Sequence, residues 1–314
     1  MDATVDTSVI LIKKNNSNDN VIKVNNVFEM KQKRLLKNIP WTFTDEQTLD
    51  LRDKILSQGT IIKDINDITI KFGIKTGKNE VFIIDKKTRD FLLHQDRNNE
   101  SIIKPVIRGR DVSKWRINYQ NIYLICTKNG IDVKNQYPSI YEYLLQFEEG
   151  LSKRYDQGDH WSNLRNCSYY DLFEKPRIVY SEIAQNPKFT YDNKYYPEAT
   201  TFILSSKSLN IKYILALMNS NVLFWVFRFL CTTLSEKGIR YKKKFIEELP
   251  LILDIPSNLE DNICEHVDNI LKYYETHHES DSYVNEEEKK LNKLIYKIYN
   301  ISDSEKEIIE RELI

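Results

Sequence analysis

The apolar pattern of this chain changes period once, at Pro250 and Pro256, and that switch constrains the fold more than any other feature. Before it, from Ile61 to Leu253, the runs IIKDINDITI, VFII, NIYLICT, PRIVYSEI and TTFIL are rich in β-branched and aromatic residues and read as strands. Helical spacing intervenes: Ile140, Tyr143, Leu144, Phe147 and Leu151 follow the turn signal Tyr137-Pro138, and Ile211, Ile214, Leu215 and Met218 begin a second helix. After the prolines the apolar residues keep to helical stripes, Ile263, Val267, Ile270, Leu271 and Tyr274, then Leu291, Leu294, Ile295, Ile298 and Tyr299. Ser302 and Glu305 match a capping box ahead of Ile308, Ile309 and Leu313. The pattern predicts an α+β fold, a mixed and largely antiparallel sheet domain with interspersed helices, followed by a helical C-terminal tail. Near the N-terminus, TSVILIKK and VIKVNNVF read as two short strands joined by the polar turn NNSNDN. Glu29 to Leu56 is charged, with a helix in its second half that Thr44 and Gln47 are placed to cap.

A net charge of zero, from 46 bases and 46 acids, conceals an asymmetry. From Asp254 onward there are sixteen acids and seven bases, so the preceding chain carries nine net positive charges. A basic body suits a polyanion, and an acidic tail suits a protein or solvent. Cys126, Cys167, Cys231 and Cys264 form no CxxC pair and read as reduced thiols. The N-terminus has no basic, apolar leader, and no segment reaches the roughly 18 apolar residues of a membrane span, so a cytoplasmic location and no membrane partner are expected.

Signals for catalysis are sparse. No GxG, GxxxxGK[ST] or HExxH occurs, and His94, His160, His266, His277 and His278 have no metal-ligand spacing. Asn186-Pro187-Lys188-Phe189 is near the Asn-Pro-Pro-Phe motif that holds a flipped adenine, but fails at its third residue and reads as a turn between strands. Glu29-Met30-Lys31 and Glu288-Lys289-Lys290 match a bare ExK, which chance produces freely.

Basic clusters are the positive signal. GIKTGKNEVFII offers Lys75, Thr76, Lys78 and Asn79 on a glycine-bearing loop that suits phosphate, although a plain turn would look alike. IIKPVIRGRDVSKW adds Arg108, Arg110 and Lys114, whose forks fit phosphate or guanine equally. LSKRYDQGDHWSNLR groups Lys153, Arg154, Tyr155, Trp161 and Arg165, and EKPRIVY adds Lys175 and Arg177; nucleic-acid surfaces and solvated helix ends both use such mixtures. SEKGIRYKKKFIEELP concentrates Lys237, Arg240, Tyr241 and Lys243.

Taken in order, GIKTGKNEVFII, IIKPVIRGRDVSKW, YLICT, YPSIYEYLLQFEEGLSKRYDQGDHWSNLR, FEKPRIVYSEIAQNPKFTYD, YILALMNSNVLFW and KKFIEELP resemble the TaqI-type target-recognition domain of adenine-specific DNA methyltransferases and type IIG restriction–modification enzymes. The resemblance covers about residues 70 to 253 and implies a domain that closes over double-stranded DNA and reads base edges in the major groove. The GIKTGKN, RGRD and KRYDQGDHW segments would line its DNA-facing side. The sequence departs from full-length members in lacking their catalytic motifs, so no catalytic residue and no cofactor are expected on this chain, with S-adenosylmethionine expected on a partner methyltransferase subunit or an upstream split half. The implied division is 1–27 as the last methyltransferase strands, 28–70 as a connector, 71–253 as the recognition domain and 254–314 as an acidic helical tail. A C-terminal fragment of a split methyltransferase and a protein-interaction module are the alternative readings.

Overall fold

The computed structural model describes residues 20–24, 28–32, 34, 42–231 and 238–313, and the chain divides into two compact units, Met1–Asp53 and Lys54–Ile314. In the first unit, Val21–Val24 pairs antiparallel with Phe28–Lys31, placing Val21 opposite Lys31. The run VIKVNNVF, which reads as one strand in the sequence, contributes to both of these strands. TSVILIKK lies outside the described residues. The helix Glu46–Gln58 is capped by Asp45 rather than Thr44, because it begins one residue late: the Asp45 carboxylate accepts from the Thr48 N–H and hydroxyl, each at 2.9 Å. Arg34 binds the carboxylates of Glu46, Asp50 and Asp53 from one guanidinium.

Two four-stranded sheets form the centre of the second unit, from β1 (Ile68–Phe72), β2 (Ile83–Asp85), β3 (Ile103–Ile107), β4 (Ile122–Ile125), β5 (Arg177–Ser181), β6 (Phe189–Asp192), β7 (Tyr196–Pro197) and β8 (Thr201–Ser206). One sheet runs β6–β5–β8–β1 and is wholly antiparallel, with Ile178 opposite Leu204 and Phe202 opposite Phe72. The other runs β7–β3–β4–β2, parallel only where Tyr196 meets Val106. Val179 and Ile203 from the first sheet share a core with Val106, Leu124 and Ile125 from the second, so the two sheets pack as one body. The expected strand IIKDINDITI is split. Thr60–Ile61 pairs with Pro250–Leu251, a single 3-10 turn follows at Ile62–Asp64, the polar Asn66 and Asp67 turn, and β1 starts at Ile68.

The apolar run LFWVFRFL lies in the helix α2 (Asn221–Leu230), which follows α1 (Ile211–Met218); Trp225, Val226 and Phe227 are buried, and Ser220 caps α2 through the Leu223 N–H. The helix expected from Ile140 to Leu151 is two, Pro138–Leu145 and Glu148–Ser152. The tail forms α3 (Ser257–Thr276), α4 (Ser282–Ile298) and α5 (Asp303–Leu313). It is no free arm, since α3 packs on α1 and both α4 and α5 pack on α2. The Ser302–Glu305 capping box is present, with the Ser302 N–H donating to Glu305 at 2.8 Å and the Glu305 N–H to the Ser302 hydroxyl at 3.3 Å. Among the described residues, no single helix is long and apolar enough to cross a membrane.

Candidate nucleic-acid interface

Gly73 starts the first basic loop because only glycine fits: a Cβ there would lie 2.2 Å from the Glu198 carbonyl oxygen. The loop then turns at Gly77, whose φ of +68° is the left-handed conformation, against the backbone of Asp156. Arg154 locks the two segments together. Its side chain is buried, and it donates to the carbonyl oxygens of Leu151 (3.1 Å), Asn163 (3.0 Å), Trp161 (2.6 Å) and Thr76. Desolvation pulls its guanidinium down to about 10. With one arginine inside, the other cations stay outside: Lys75 is exposed, Lys153 is exposed beside Glu149 at 2.7 Å, Lys78 is part-exposed beside Glu80 at 3.1 Å, and Arg165 reaches solvent while its Nη1 holds Asp156 at 2.9 Å. Tyr155, at the crest, is fully exposed.

A second buried group joins this lobe to the RGR turn. The Glu198 carboxylate accepts from the Asn79 amide (3.0 Å), from the Thr200 N–H (3.0 Å) and from the Thr200 hydroxyl (2.6 Å), and that hydroxyl oxygen accepts the Gly109 N–H at 2.8 Å. Thr76 closes the chain by donating to the Asn79 side-chain oxygen. Both ends of the Asn79 amide are therefore engaged. Gly109 has no room for a side chain, since a Cβ would lie 2.6 Å from the Thr200 carbonyl oxygen. Beyond it, the Glu182 N–H donates to the Thr200 carbonyl (3.1 Å) and the Tyr241 N–H to the Glu182 carbonyl (2.8 Å), so Arg240 follows on the same line of contacts.

Three comparisons bear on what this basic line belongs to. A model of the TaqI-like C-terminal specificity domain matches residues 104–251, the stretch that runs from β3 to just past the Lys242–Lys244 cluster. Over these residues the chain is similar to that specificity domain. The chain is 20% identical over 282 residues to the Type II methyltransferase M.BstVI of Geobacillus stearothermophilus, covering 87% of this chain and 46% of that protein. It is 23% identical over 225 residues to the Type II methyltransferase M.MjaIV of Methanocaldococcus jannaschii, covering 68% and 72%. Among solved structures, the Type IIL restriction-modification enzyme MmeI in complex with DNA has the same fold over 74% of this chain and 33% of that one, at a TM-score of 0.61 and 14% identity. The chain thus spans about half the length of M.BstVI and a third of MmeI.

Within and beside residues 104–251, several expected contact residues are buried or ion-paired. Arg177 is fully buried: it binds Asp192 and the carbonyl oxygens of Phe173 (3.0 Å) and Lys175 (2.8 Å), with desolvation lowering its guanidinium against the opposing pull of Asp192. Arg154 and Thr76 are internal for the reasons above. Tyr241 is buried, its ring stacked on Phe227 at 4.7 Å and edge-on to Phe189. Lys114 is paired with Glu288 of α4 at 2.8 Å, and Glu288 also accepts the Trp115 indole N–H. Lys175 pairs with Asp171 and Lys243 with Glu247, each at 3.3 Å on exposed surface. Trp161 is half-buried against Tyr141 and His160. Lys237 lies outside the described residues. Arg108 is half-exposed and turned back on Asp111, whereas Arg110 is exposed and its guanidinium has no partner among the described residues.

A cleft of about 230 Å³ lies beside the lobe, and no motif in the sequence marks it. Lys75 and Arg165 reach it from the lobe, and Phe72 and Tyr169 meet edge to face in its wall at 6.2 Å. Glu198 and Thr200 were likewise unremarked, because one acid in a β-turn carries no periodic signal. Phe189 of the Asn-Pro-Lys-Phe turn is buried against Tyr180 and Tyr241, so its ring has no face to offer a base. Among the described residues, no group of three or more His, Cys, Asp or Glu side chains is arranged to hold a metal.

Proposed function

We propose that this chain supplies sequence recognition to an adenine-specific DNA methyltransferase of a restriction–modification system, with the S-adenosylmethionine site and the adenine-flipping machinery on a partner polypeptide. The observation that carries the reading is the coincidence of a TaqI-like specificity domain with a braced basic lobe whose lysines are free of the core. Lys75, Lys78, Lys153 and Arg165 meet phosphates, which fixes register and supplies most of the affinity. Arg110, with an unengaged fork, reads a base edge; a bidentate contact of that kind discriminates by about 1–3 kcal/mol.

The test is transfer of a tritiated methyl group from S-adenosylmethionine to DNA. The chain alone is expected to transfer none, and a methyltransferase catalytic subunit is expected to methylate adenine at a defined site only when this chain is added. Methylation by the chain alone would overturn the assignment of catalysis to a partner.

A further inference from the structure

The crest of the lobe is unusual in how its residues are held. Arg154 is 6% exposed and donates to five carbonyl oxygens, those of Leu151, Thr76, Asp156, Trp161 and Asn163, while Asp156 takes Arg165 on its carboxylate and packs its backbone against Gly77. Gln157 then bridges to Leu164. Between these two pinned residues, Tyr155 is 100% exposed, and its ring and hydroxyl have no partner among the described residues.

A single exposed aromatic is ordinary on a protein surface. Here, however, the backbone on either side is clamped and there is no core for the ring to fall back on. An aromatic on a rigid base loses little conformational freedom when it docks, which is the condition for tight stacking. Lys75, Lys78, Lys153 and Arg165 belong to the same lobe, so a polyanion drawn to these cations meets the ring.

We infer that Tyr155 is a stacking finger: its ring inserts between two adjacent base pairs of the bound duplex and partly unstacks them, with the neighbouring lysines on the flanking phosphates. This rests on the DNA-recognition role proposed above. Side chains that wedge into a base step act in this way, widening the step and unwinding the helix locally. Read so, Arg154 is a positioning residue. It stiffens the crest and touches no DNA.

The experiment compares the full chain with Tyr155→Ala, Tyr155→Phe and Lys153→Ala, using a random-sequence 30-base-pair duplex and a closed circular plasmid relaxed by topoisomerase. Tyr155→Ala is expected to lose about tenfold or more in affinity with the slope of log K against log salt unchanged, since a stacked base is lost and no counterion is. Tyr155→Phe is expected to bind like the wild type, and Lys153→Ala to lower the salt slope. Wild type and Tyr155→Phe should unwind the plasmid, and Tyr155→Ala should not. Equal binding and unwinding by wild type and Tyr155→Ala would overturn the finger while leaving DNA recognition intact, and so would equal losses in Tyr155→Phe and Tyr155→Ala, which would mean a hydroxyl–phosphate contact. Tyr155→Ala that keeps its DNA affinity but no longer copurifies with a methyltransferase would make the ring a protein contact, again overturning it. A wild-type chain that binds neither DNA at 50 mM salt would sink the recognition role and the finger together.

Discussion

Two basic stretches of similar sequence, KRYD at 153–156 and RGRDVSKW at 108–115, end in opposite states. In the first, Arg154 is inside and the neighbouring Lys153 and Tyr155 are left in solvent, Lys153 in a fully solvated ion pair with Glu149. In the second, Asp111 draws in Arg108, Glu288 neutralises Lys114, and only Arg110 is left unpaired. A cation's availability therefore depends on what lies under it. Carbonyl oxygens at a loop junction consume one arginine and release its neighbours, whereas a carboxylate on a packed helix consumes the lysine itself.

The sharpest way to break this contrast is to empty the buried arginine sites. Asp192→Ala leaves the Arg177 guanidinium buried without its carboxylate, and a loss of roughly 3–5 kcal/mol in urea unfolding is expected. Arg154→Ala strands the carbonyls of Thr76, Trp161 and Asn163, at about 3 kcal/mol in all, and should loosen the lobe so that DNA affinity falls with stability. A loss of stability with DNA affinity intact would show that the lobe does not bind.

Acid tests the helical side of the comparison. Burial pushes the Glu287 carboxyl up, but hydrogen bonds from Lys290, His266 and Asn269 outweigh it and hold the group at about 2. A carboxyl depressed in the folded state contributes stability above its unfolded value, near 4.5, and loses it as pH falls from there toward 2. About 3 kcal/mol should disappear over that window. Glu287→Gln should flatten the acid limb of the stability profile, and an unchanged limb would refute the assignment.

Smaller effects separate the two stretches directly. Lys75→Ala and Lys153→Ala should each lower the salt slope of DNA binding by about 0.9 while changing stability by no more than about 0.5 kcal/mol. Lys114→Ala should leave that slope unchanged, because its pair with Glu288 is partly shielded against the packed tail, whereas the Lys153–Glu149 pair lies in open solvent and yields to a phosphate. A fall in slope for Lys114→Ala would mean that DNA displaces the tail's carboxylate.

Much of the fold was legible in local pattern. The β-branched runs at Ile122–Ile125, Arg177–Ser181 and Thr201–Ser206 and the helical stripe through Ile263, Val267 and Ile270 depend on nearest-neighbour chemistry and are found where expected. The site was legible only as composition. KRYD and PRIVY each offer one arginine in a basic and aromatic setting, and nothing local shows that Arg154 will meet the Thr76 carbonyl 78 residues away or that Arg177 will face Asp192. Glu198, which ties the 73–79 loop to Gly109 through Thr200, is a further case. Asn79, which it binds, and Gly109, which it reaches through Thr200, lie 119 and about 90 residues away, so no spacing rule could find it.

The central claim is that the lobe's exposed cations carry the chain onto DNA, and the salt dependence of binding tests it most directly. Binding of a random duplex measured between 50 and 200 mM salt, for wild type and for the combined variant Lys75→Ala, Lys78→Ala, Lys153→Ala and Arg165→Ala, should show wild-type affinity falling by at least about 100-fold and the variant's slope lower by about 3–4. Equal slopes for the two proteins would contradict the account.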